Sequence, residues 1–263
     1  MKTGSPQGRR RYRNPPIDEA VCEFHFRPGP EWDLTIPGKL HSVLASEYGG
    51  KRRSQQSIDV GVEIKNDEPS NLRYGQKLSK VLLFTEDQTR AVGVGPDVLS
   101  VHMLRPYQRP VAPEESGWDE FRPRIATALK AYWDVADPAG VRRISVRYIN
   151  RIVIPESVVR IEDYLHSAVP LVQGLPDAVN NFMSRTDYGY EDGAHLVLAQ
   201  GTFPSPSGDI GFLLDIDVYS EPAGLLTQTE ALTRTDRLRA LERGAFEAVI
   251  TDAARELFDA DQD

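Results

Sequence analysis

Several short stretches of the chain alternate strictly between apolar and polar residues. In the first of them, Cys22, Phe24 and Phe26 fall on one side, and Glu23 and His25 fall on the other. A period of two is typical of a β-strand with one buried face, and short apolar runs between turn residues indicate buried strands. These patterns predict strands at 17–26, 58–64, 78–85, 91–95, 98–104, 143–154, 181–190, 194–203 and 209–219.

Apolar residues at helical spacing predict four helices. They lie at 37–48, 118–133 and 161–172, and the last helix runs to about Phe258. Ser116, with Asp119 three residues later, is the predicted N-cap of the second helix. Strand 143–154 has apolar residues on both faces, which predicts an interior strand covered on both sides.

The order strand, helix, several short strands and longer helix occurs twice along the chain. It predicts an α+β fold in which two similar halves form one large antiparallel sheet, with the helices packed on one face. The predicted organisation is a flexible basic tail at 1–14, a first half at 15–137 and a second half at 138–263, with both halves in one compact unit. The element order resembles TATA-binding-protein-like folds and helix-grip-like folds, and this analogy transfers no function.

Composition narrows the class of protein. The chain has 263 residues, a formal net charge of −8 and a single cysteine, Cys22. One cysteine excludes an internal disulfide and a multi-cysteine zinc site, and the negative charge disfavours general binding to nucleic acid or anionic membranes. No apolar run reaches the roughly 18 residues of a membrane span, and the N-terminus lacks the apolar part of a secretory signal. We therefore expect a cytoplasmic protein without membrane contact, and we predict no cofactor and no metal.

The strand at 143–154 carries the residues best suited to bind a ligand. Alternation places Arg147 and Arg151 on one face of the strand, and Tyr148 and Asn150 on the other. The planar guanidinium groups suit a carboxylate or a phosphate, so these four residues are candidates for a small anionic ligand or a nucleotide. Because the strand alternates, all four can converge on one site only if it twists or bulges.

The same arginines also have candidate structural partners. Asp215 and Asp217 alternate with apolar residues on a later strand, so ion pairs across the strands account for Arg147 and Arg151 equally well. Glu19, at the start of the first strand, is a further candidate partner for Arg147. The sequence favours ion pairs that stabilise the fold over an anion site.

Catalytic signatures are sparse. The sequence has no phosphate-binding glycine loop, no HExxH zinc motif, no GxSxG nucleophile motif and no dinucleotide fingerprint. His25, Glu23 and Glu19 are the best remaining candidates for an enzyme acting on nucleic acid, and Cys22 is expected to be a buried apolar residue. Nucleic acid could otherwise contact only the arginines of the basic tail, which are Arg9, Arg10, Arg11 and Arg13.

Four segments resemble the landmarks of a sporadically distributed family of uncharacterised bacterial proteins. They are Asn14–Ala20 (NPPI-x-EA), Gly117–Phe121 (GW-x-x-F), Arg147–Ile152 (RY-x-NRI) and Phe246–Asp252. The resemblance covers nearly the whole chain and implies no activity, cofactor or catalytic residue. A sporadic distribution is what accessory systems show, such as toxin–antitoxin or defence modules.

The leading hypothesis is a non-enzymatic binding or regulatory protein that acts through a protein partner. The missing catalytic motifs, the acidic surface and the edges of a large sheet support it. Two alternatives stay open, a binder of a small anion or nucleotide and an enzyme that acts on nucleic acid.

Overall fold

A computed structural model describes residues 11–27, 32–63, 71–107, 116–156, 158–167, 174, 181–204 and 209–259. Side chains are described for all of these except 56–79 and 204.

Within these residues, nine strands form one antiparallel sheet, which confirms the α+β class and the large antiparallel sheet. The spatial order is β2-β3-β4-β5-β1-β6-β9-β8-β7. The strands are β1 (Ile17–Phe26), β2 (Arg52–Glu63), β3 (Asn71–Phe84), β4 (Arg90–Gly95), β5 (Val98–Leu104), β6 (Val141–Ile154), β7 (Met183–Gly189), β8 (Ala194–Pro204) and β9 (Ile210–Ser220).

The two central strands, β1 and β6, open the two predicted halves and pair with each other. The last strand of each half returns beside the first, since β5 pairs with β1 and β9 pairs with β6. The first half contributes four further strands after β1. In the second half, the described residues contribute three further strands after β6. The relation between the halves and the TATA-binding-protein-like or helix-grip-like assignment stay predictions.

Helices pack on one face of this sheet. The helices are α1 (Ile36–Leu44), α2 (Trp118–Ala136), α3 (Gln228–Val249) and α4 (Asp252–Asp259). The second packs on β5 and the third on β6 and β9. A capping box begins α3, in which the Thr227 side chain and the Glu230 side chain each bond the other residue's backbone N–H. None of the described helices is long and apolar enough to cross a membrane.

The final helix is broken, which corrects the prediction of one helix to Phe258. At Ile250 the backbone is extended, with φ −87° and ψ 146°. Ile250 is buried and forms an isolated β-bridge with Leu165. This bridge holds Ile250 out of helical geometry, so α3 ends at Val249 and α4 starts at Asp252.

The same bridge explains why the helix predicted at 161–172 is wrong. Only Ile161–Asp163 form a short 3-10 turn, and Leu165 then pairs with the chain after α3. Residues 168–172 of that prediction lie outside the described residues. The predicted cap of α2 is also wrong, because the N-cap is Gly117, which has no side chain to bond the first turn. Gly117 has φ 68°, a conformation that favours glycine over serine.

Among the described residues, strand β6 is covered on one face only, in contrast to the prediction. Tyr148, Asn150 and Ile152 are buried on the face that α3 covers, whereas Arg147 and Arg151 are exposed on the other. The apolar residues on the exposed face led to the prediction of a second cover. We call this uncovered side of the sheet the open face.

The predicted tail has a fixed end. Tyr12 is buried, and its ring packs edge-on against Phe246 and Phe258. Its hydroxyl donates to the Glu247 carboxylate, and the Asn14 amide donates to the Phe258 carbonyl at 2.7 Å. Residues 1–10, including Arg9 and Arg10, lie outside the described residues.

Cys22 lies in the core between the sheet and the helices. It is fully buried, and burial raises the pKa of its thiol well above the ordinary value. Because the thiolate is the reactive form, we expect iodoacetamide to leave Cys22 unmodified in the folded protein and to alkylate it fully in urea. Mass spectrometry of both samples checks this, and rapid labelling of the folded protein would contradict the burial.

Candidate functional site

The central strands of the open face carry an unusual number of charged residues. Antiparallel register places Val21 of β1 between His102 of β5 and Arg147 of β6. Two residues further along β1, on the same face, Glu23 lies between Ser100 of β5 and Ser145 of β6. Side chains of residues that face each other in register point to the same side of the sheet, so these polar groups share one surface.

Two acid–histidine pairs involve β1, one within the strand and one between β1 and β5. The Glu23 carboxylate is 2.6 Å from Nε2 of His25 and also bonds the Lys80 ammonium. The Glu19 carboxylate is 2.8 Å from Nδ1 of His102. The three residues predicted as catalytic candidates therefore do not form one cluster, because Glu19 belongs to a different pair from Glu23 and His25.

Cation partners keep both of these carboxylates ionised. Burial alone would raise the pKa of Glu23, but the hydrogen bond with His25 and the charge of Lys80 outweigh it and lower the pKa to about 2. Burial likewise opposes ionisation of Glu19, and its hydrogen bond with His102 together with nearby positive charges, including Arg147, gives a lowered pKa. Neither carboxylate can serve as a general acid near neutral pH.

Ser100, His102 and Glu19 have the connectivity of a nucleophile, base and orienting acid. Nε2 of His102 is 2.8 Å from the Ser100 hydroxyl, and Nδ1 is 2.8 Å from Glu19. However, Ser100 is fully buried, and a Cβ built on Gly93 would lie 2.5 Å from its hydroxyl oxygen. A nucleophile must reach its substrate, so this geometry indicates that Ser100 orients His102.

The predicted arginines of β6 have different partners. Arg147 makes a two-pronged ion pair with Asp215, with Nε 2.8 Å from Oδ1 and Nη2 2.5 Å from Oδ2. This hydrogen-bonded pairing raises the pKa of Arg147 further. Asp217 is bonded by the Ser145 hydroxyl, and burial raises the pKa of Asp217.

Arg151 has no aspartate partner among the described residues. It faces Leu213 in register, and its guanidinium lies 4.3 Å from the centre of the Phe203 ring. Since Tyr148 and Asn150 lie on the opposite face of β6, the four residues predicted to bind a ligand do not converge on one site.

The open face is concave at its centre, where it forms a groove. The groove has a volume of about 460 Å³. Its polar side chains come from six strands, and Val21 and Ile149 contribute apolar surface between them. The charged groups include Glu19, Glu23, Arg53, Lys80, Arg143, Arg147 and Asp217, and the imidazole of His102 lies among them.

Beside the groove lies an apolar patch, which we define as Val153, Leu213, Met183 and Phe203 with Arg151 across it. The register places these residues in adjacent positions on β6, β9, β8 and β7. Three of them are large and exposed, with Val153 at 42%, Leu213 at 39% and Met183 at 90%. Large apolar side chains grouped on a surface mark interaction sites more often than single ones do.

A second, smaller cavity lies on the other side of the sheet, beneath α3. It has a volume of about 90 Å³, and we call it the α3 cavity. Tyr148 and Asn150 of β6 line it, and the opposite wall includes Arg239 and Glu242 of α3. The Tyr148 hydroxyl is 2.8 Å from that of Tyr107.

The four landmark segments meet at this cavity, although they are far apart in the chain. Its lining includes Pro15, Pro16, Ile17, Gly117, Trp118, Tyr148, Asn150, Phe246 and Glu247. The segment around Tyr12 also reaches it, where Arg11 pairs with Asp119 at 2.7 Å.

Charge inside the α3 cavity centres on one buried ion pair. Arg239 bonds Glu242, and its guanidinium lies over the ring of Tyr148 at 4.4 Å and beside Trp118 at 5.7 Å. Glu242 is 2% exposed, and burial raises its pKa to about 7 in spite of Arg239. Burial also raises the pKa of Tyr107 and of Tyr148, so both hydroxyls stay protonated.

Neither Arg239 nor Glu242 was among the residues predicted from sequence. A signal was present, because Glu242 stands four residues after Leu238 and four before Phe246, within the apolar stripe of the last helix. A charged residue at a core position indicates a partner or a site.

Among the described residues, no group of three or more His, Cys, Asp or Glu side chains could hold a metal ion.

Comparison of the chain with protein-family models, with curated proteins and with solved structures gives no match.

Proposed function

We propose that this chain is a non-enzymatic binding protein whose open face docks a protein partner. The observation that carries the proposal is the apolar patch of Val153, Leu213, Met183 and Phe203 on the sheet face that α2 and α3 leave uncovered. Protein interfaces combine an apolar, aromatic and arginine-containing centre with a polar rim. The patch with Arg151 supplies such a centre, and the charged groove beside it supplies such a rim.

The charges of the groove favour a protein over a small anion as the partner. Arg147 already has a two-pronged pair with Asp215, and Lys80 is bonded to Glu23. An anion would have to displace these carboxylates, whereas a protein surface of mixed charge can extend the existing network. The role in an accessory system, such as a toxin–antitoxin or defence module, enters this proposal from the resemblance of the four landmarks.

Charge introduced into the patch tests the proposal. We expect Val153→Asp combined with Leu213→Asp to lower affinity for the partner at least tenfold, because truncated or charged hot-spot positions cost more than about 1.4 kcal/mol. The tagged protein is purified from its native host, the stoichiometric partner is identified by mass spectrometry, and its affinity for each variant is measured by titration. Light scattering shows whether the partner is a second copy of the chain.

Val43→Asp is the matched control. Val43 is 58% exposed on α1, which packs on α2 in the helical layer and away from the open face. We expect this variant to retain the partner. Equal retention by the double variant would overturn the patch as the docking surface, and a protein that is always recovered alone and monomeric would overturn the proposed function.

A further inference from the structure

The α3 cavity contains more hydrogen-bond donors than its protein partners use. A guanidinium has five N–H donors. Within the described part of the chain, the hydrogen bonds of Arg239 go to Glu242 alone. The side chain is only 14% exposed, so its other donors lie at the cavity and have little access to bulk water. Leaving donors of a charged group unpaired in such a place is costly.

A hydroxyl supplies another donor. The hydroxyls of Tyr107 and Tyr148 bond each other at 2.8 Å, and this bond uses one of their two hydrogens. The second hydrogen is available to an acceptor in the cavity, because both groups stay protonated. The unsatisfied groups are therefore a guanidinium and a hydroxyl, and together they require an acceptor that carries negative charge.

Apolar groups form the rest of the wall. Pro15, Pro16 and Ile17 line the cavity where the chain enters β1, and Phe246 lines it from α3. The volume of about 90 Å³ suits a molecule of a few heavy atoms, since roughly 150 Å³ accommodates a benzene. A ligand that matches both walls is short, with an anionic end and an apolar end.

We propose that the α3 cavity binds a small monocarboxylate. Its two oxygens accept from the guanidinium of Arg239 and from the tyrosine hydroxyl pair, and its short apolar part contacts Pro15, Pro16 and Phe246. Guanidinium and carboxylate are matched planar groups that form two parallel hydrogen bonds, which favours a carboxylate over a tetrahedral anion. This site is separate from the open face and does not depend on the partner proposed above.

Glu242 makes the binding depend on pH. The charged and titratable groups that interact with it include Arg239 and Arg243 of α3, Tyr148 of β6 and Tyr107, and the cavity lining adds Arg11, Asp119 and Glu247. A ligand carboxylate placed beside Arg239 competes with ionised Glu242 for the guanidinium. Its binding therefore favours the protonated form of Glu242. Binding therefore takes up a proton above pH 7, and the affinity falls up to tenfold for each further pH unit.

Titration with isobutyrate tests the site, and isobutyramide is the neutral control of the same shape. We expect isobutyrate to bind the wild-type chain at millimolar concentration, more tightly at pH 6 than at pH 8, as measured by ligand-observed NMR. Isobutyramide and inorganic phosphate should bind at least tenfold more weakly. Equal binding of isobutyramide would overturn the role of the charge, and tighter binding of phosphate would overturn the carboxylate assignment.

Three variants locate the ligand. Arg239→Met should abolish binding, and Arg237→Met, on the exposed side of α3 where it pairs with Asp192, should leave it unchanged. Glu242→Gln removes the competing carboxylate, so it should bind isobutyrate at pH 8 as tightly as the wild type does at pH 6. This gain keeps the test decisive if Arg239→Met does not fold. Loss of binding in Glu242→Gln, or a retained pH dependence, would overturn the proposed site.

Discussion

Replacing Arg90 by methionine lowers the free energy of unfolding by about 3–5 kcal/mol, the cost of breaking a buried ion pair by removing one partner. Arg90 is 1% exposed, and its Nε and Nη2 each lie 2.9 Å from an oxygen of Glu120. Its Nη1 donates to the carbonyls of Thr89, Leu104 and Pro106 at 3.0–3.2 Å. Methionine fills similar space but leaves three carbonyls short of a donor and removes two donors from the Glu120 carboxylate, which keeps its bond from Arg124. Urea unfolding measures the change.

Arg105→Met is the control for Arg90→Met. Arg105 is 56% exposed and 3.4 Å from Asp18, an arrangement that contributes at most about 1 kcal/mol. Arg90→Lys separates charge from geometry, because lysine keeps the charge but cannot form the two-pronged bond. We expect its stability to lie between those of the wild type and Arg90→Met. A loss in Arg90→Met no larger than that in Arg105→Met would show that the pair is not a major source of stability.

The Arg90 pair also places the α3 cavity. It connects the start of β4 to the first turn of α2 and to the chain after β5, where Tyr107 begins the approach to α2. Tyr107, Gly117 and Trp118, which flank this junction, line the cavity. The same interaction that stabilises the fold therefore positions one wall of the proposed ligand site.

The sequence predicts the strands well because their signal is local. Alternation gives β1 and β5 with their correct bounds and finds β8 to within one residue, whereas the predictions at 58–64 and 78–85 cover only the later parts of β2 and β3. Errors arise where a contact far away in the chain decides the local conformation. The bridge between Leu165 and Ile250 ends one predicted helix and prevents another, and no periodicity near either residue reports on that bridge.

The candidate sites were harder to predict, because register between strands decides which polar groups meet. Alternation correctly places Arg147 and Arg151 on one face of β6, and Tyr148 and Asn150 on the other. It cannot show that Arg147 reaches Asp215 while Arg151 lies over Phe203, because this depends on how β8 and β9 align with β6. The groups of the α3 cavity come from segments far apart in the chain, and only the packing of α3 on β6 brings Arg239 to Tyr148.

Glu242→Gln gains stability relative to the wild type as the pH rises from 4.5 to 8. Burial raises the pKa of Glu242 to about 7 in the folded chain, against an ordinary value of 4.5. The folded state therefore holds the proton more tightly than the unfolded state. The wild type loses stability as pH rises from about 4.5 to about 7, and the loss is complete above that range.

The size of this effect follows from the two pKa values of Glu242. A difference between about 7 and 4.5 corresponds to about 3 kcal/mol at 1.36 kcal/mol for each pH unit. We expect the difference in unfolding free energy between Glu242→Gln and the wild type to grow by this amount between pH 4.5 and pH 8, as measured by urea unfolding at several pH values.

Asp134→Asn is the control, on the exposed face of α2 where Asp134 pairs with Lys130. Its difference in unfolding free energy from the wild type should change by no more than about 0.5 kcal/mol over that range. If the difference in unfolding free energy between Glu242→Gln and the wild type grows no more than it does for this control, Glu242 is ionised throughout the range and its charge is fully compensated by Arg239. The affinity for the carboxylate would then start to fall at a pH below 7, because binding takes up a proton wherever Glu242 is ionised in the free protein.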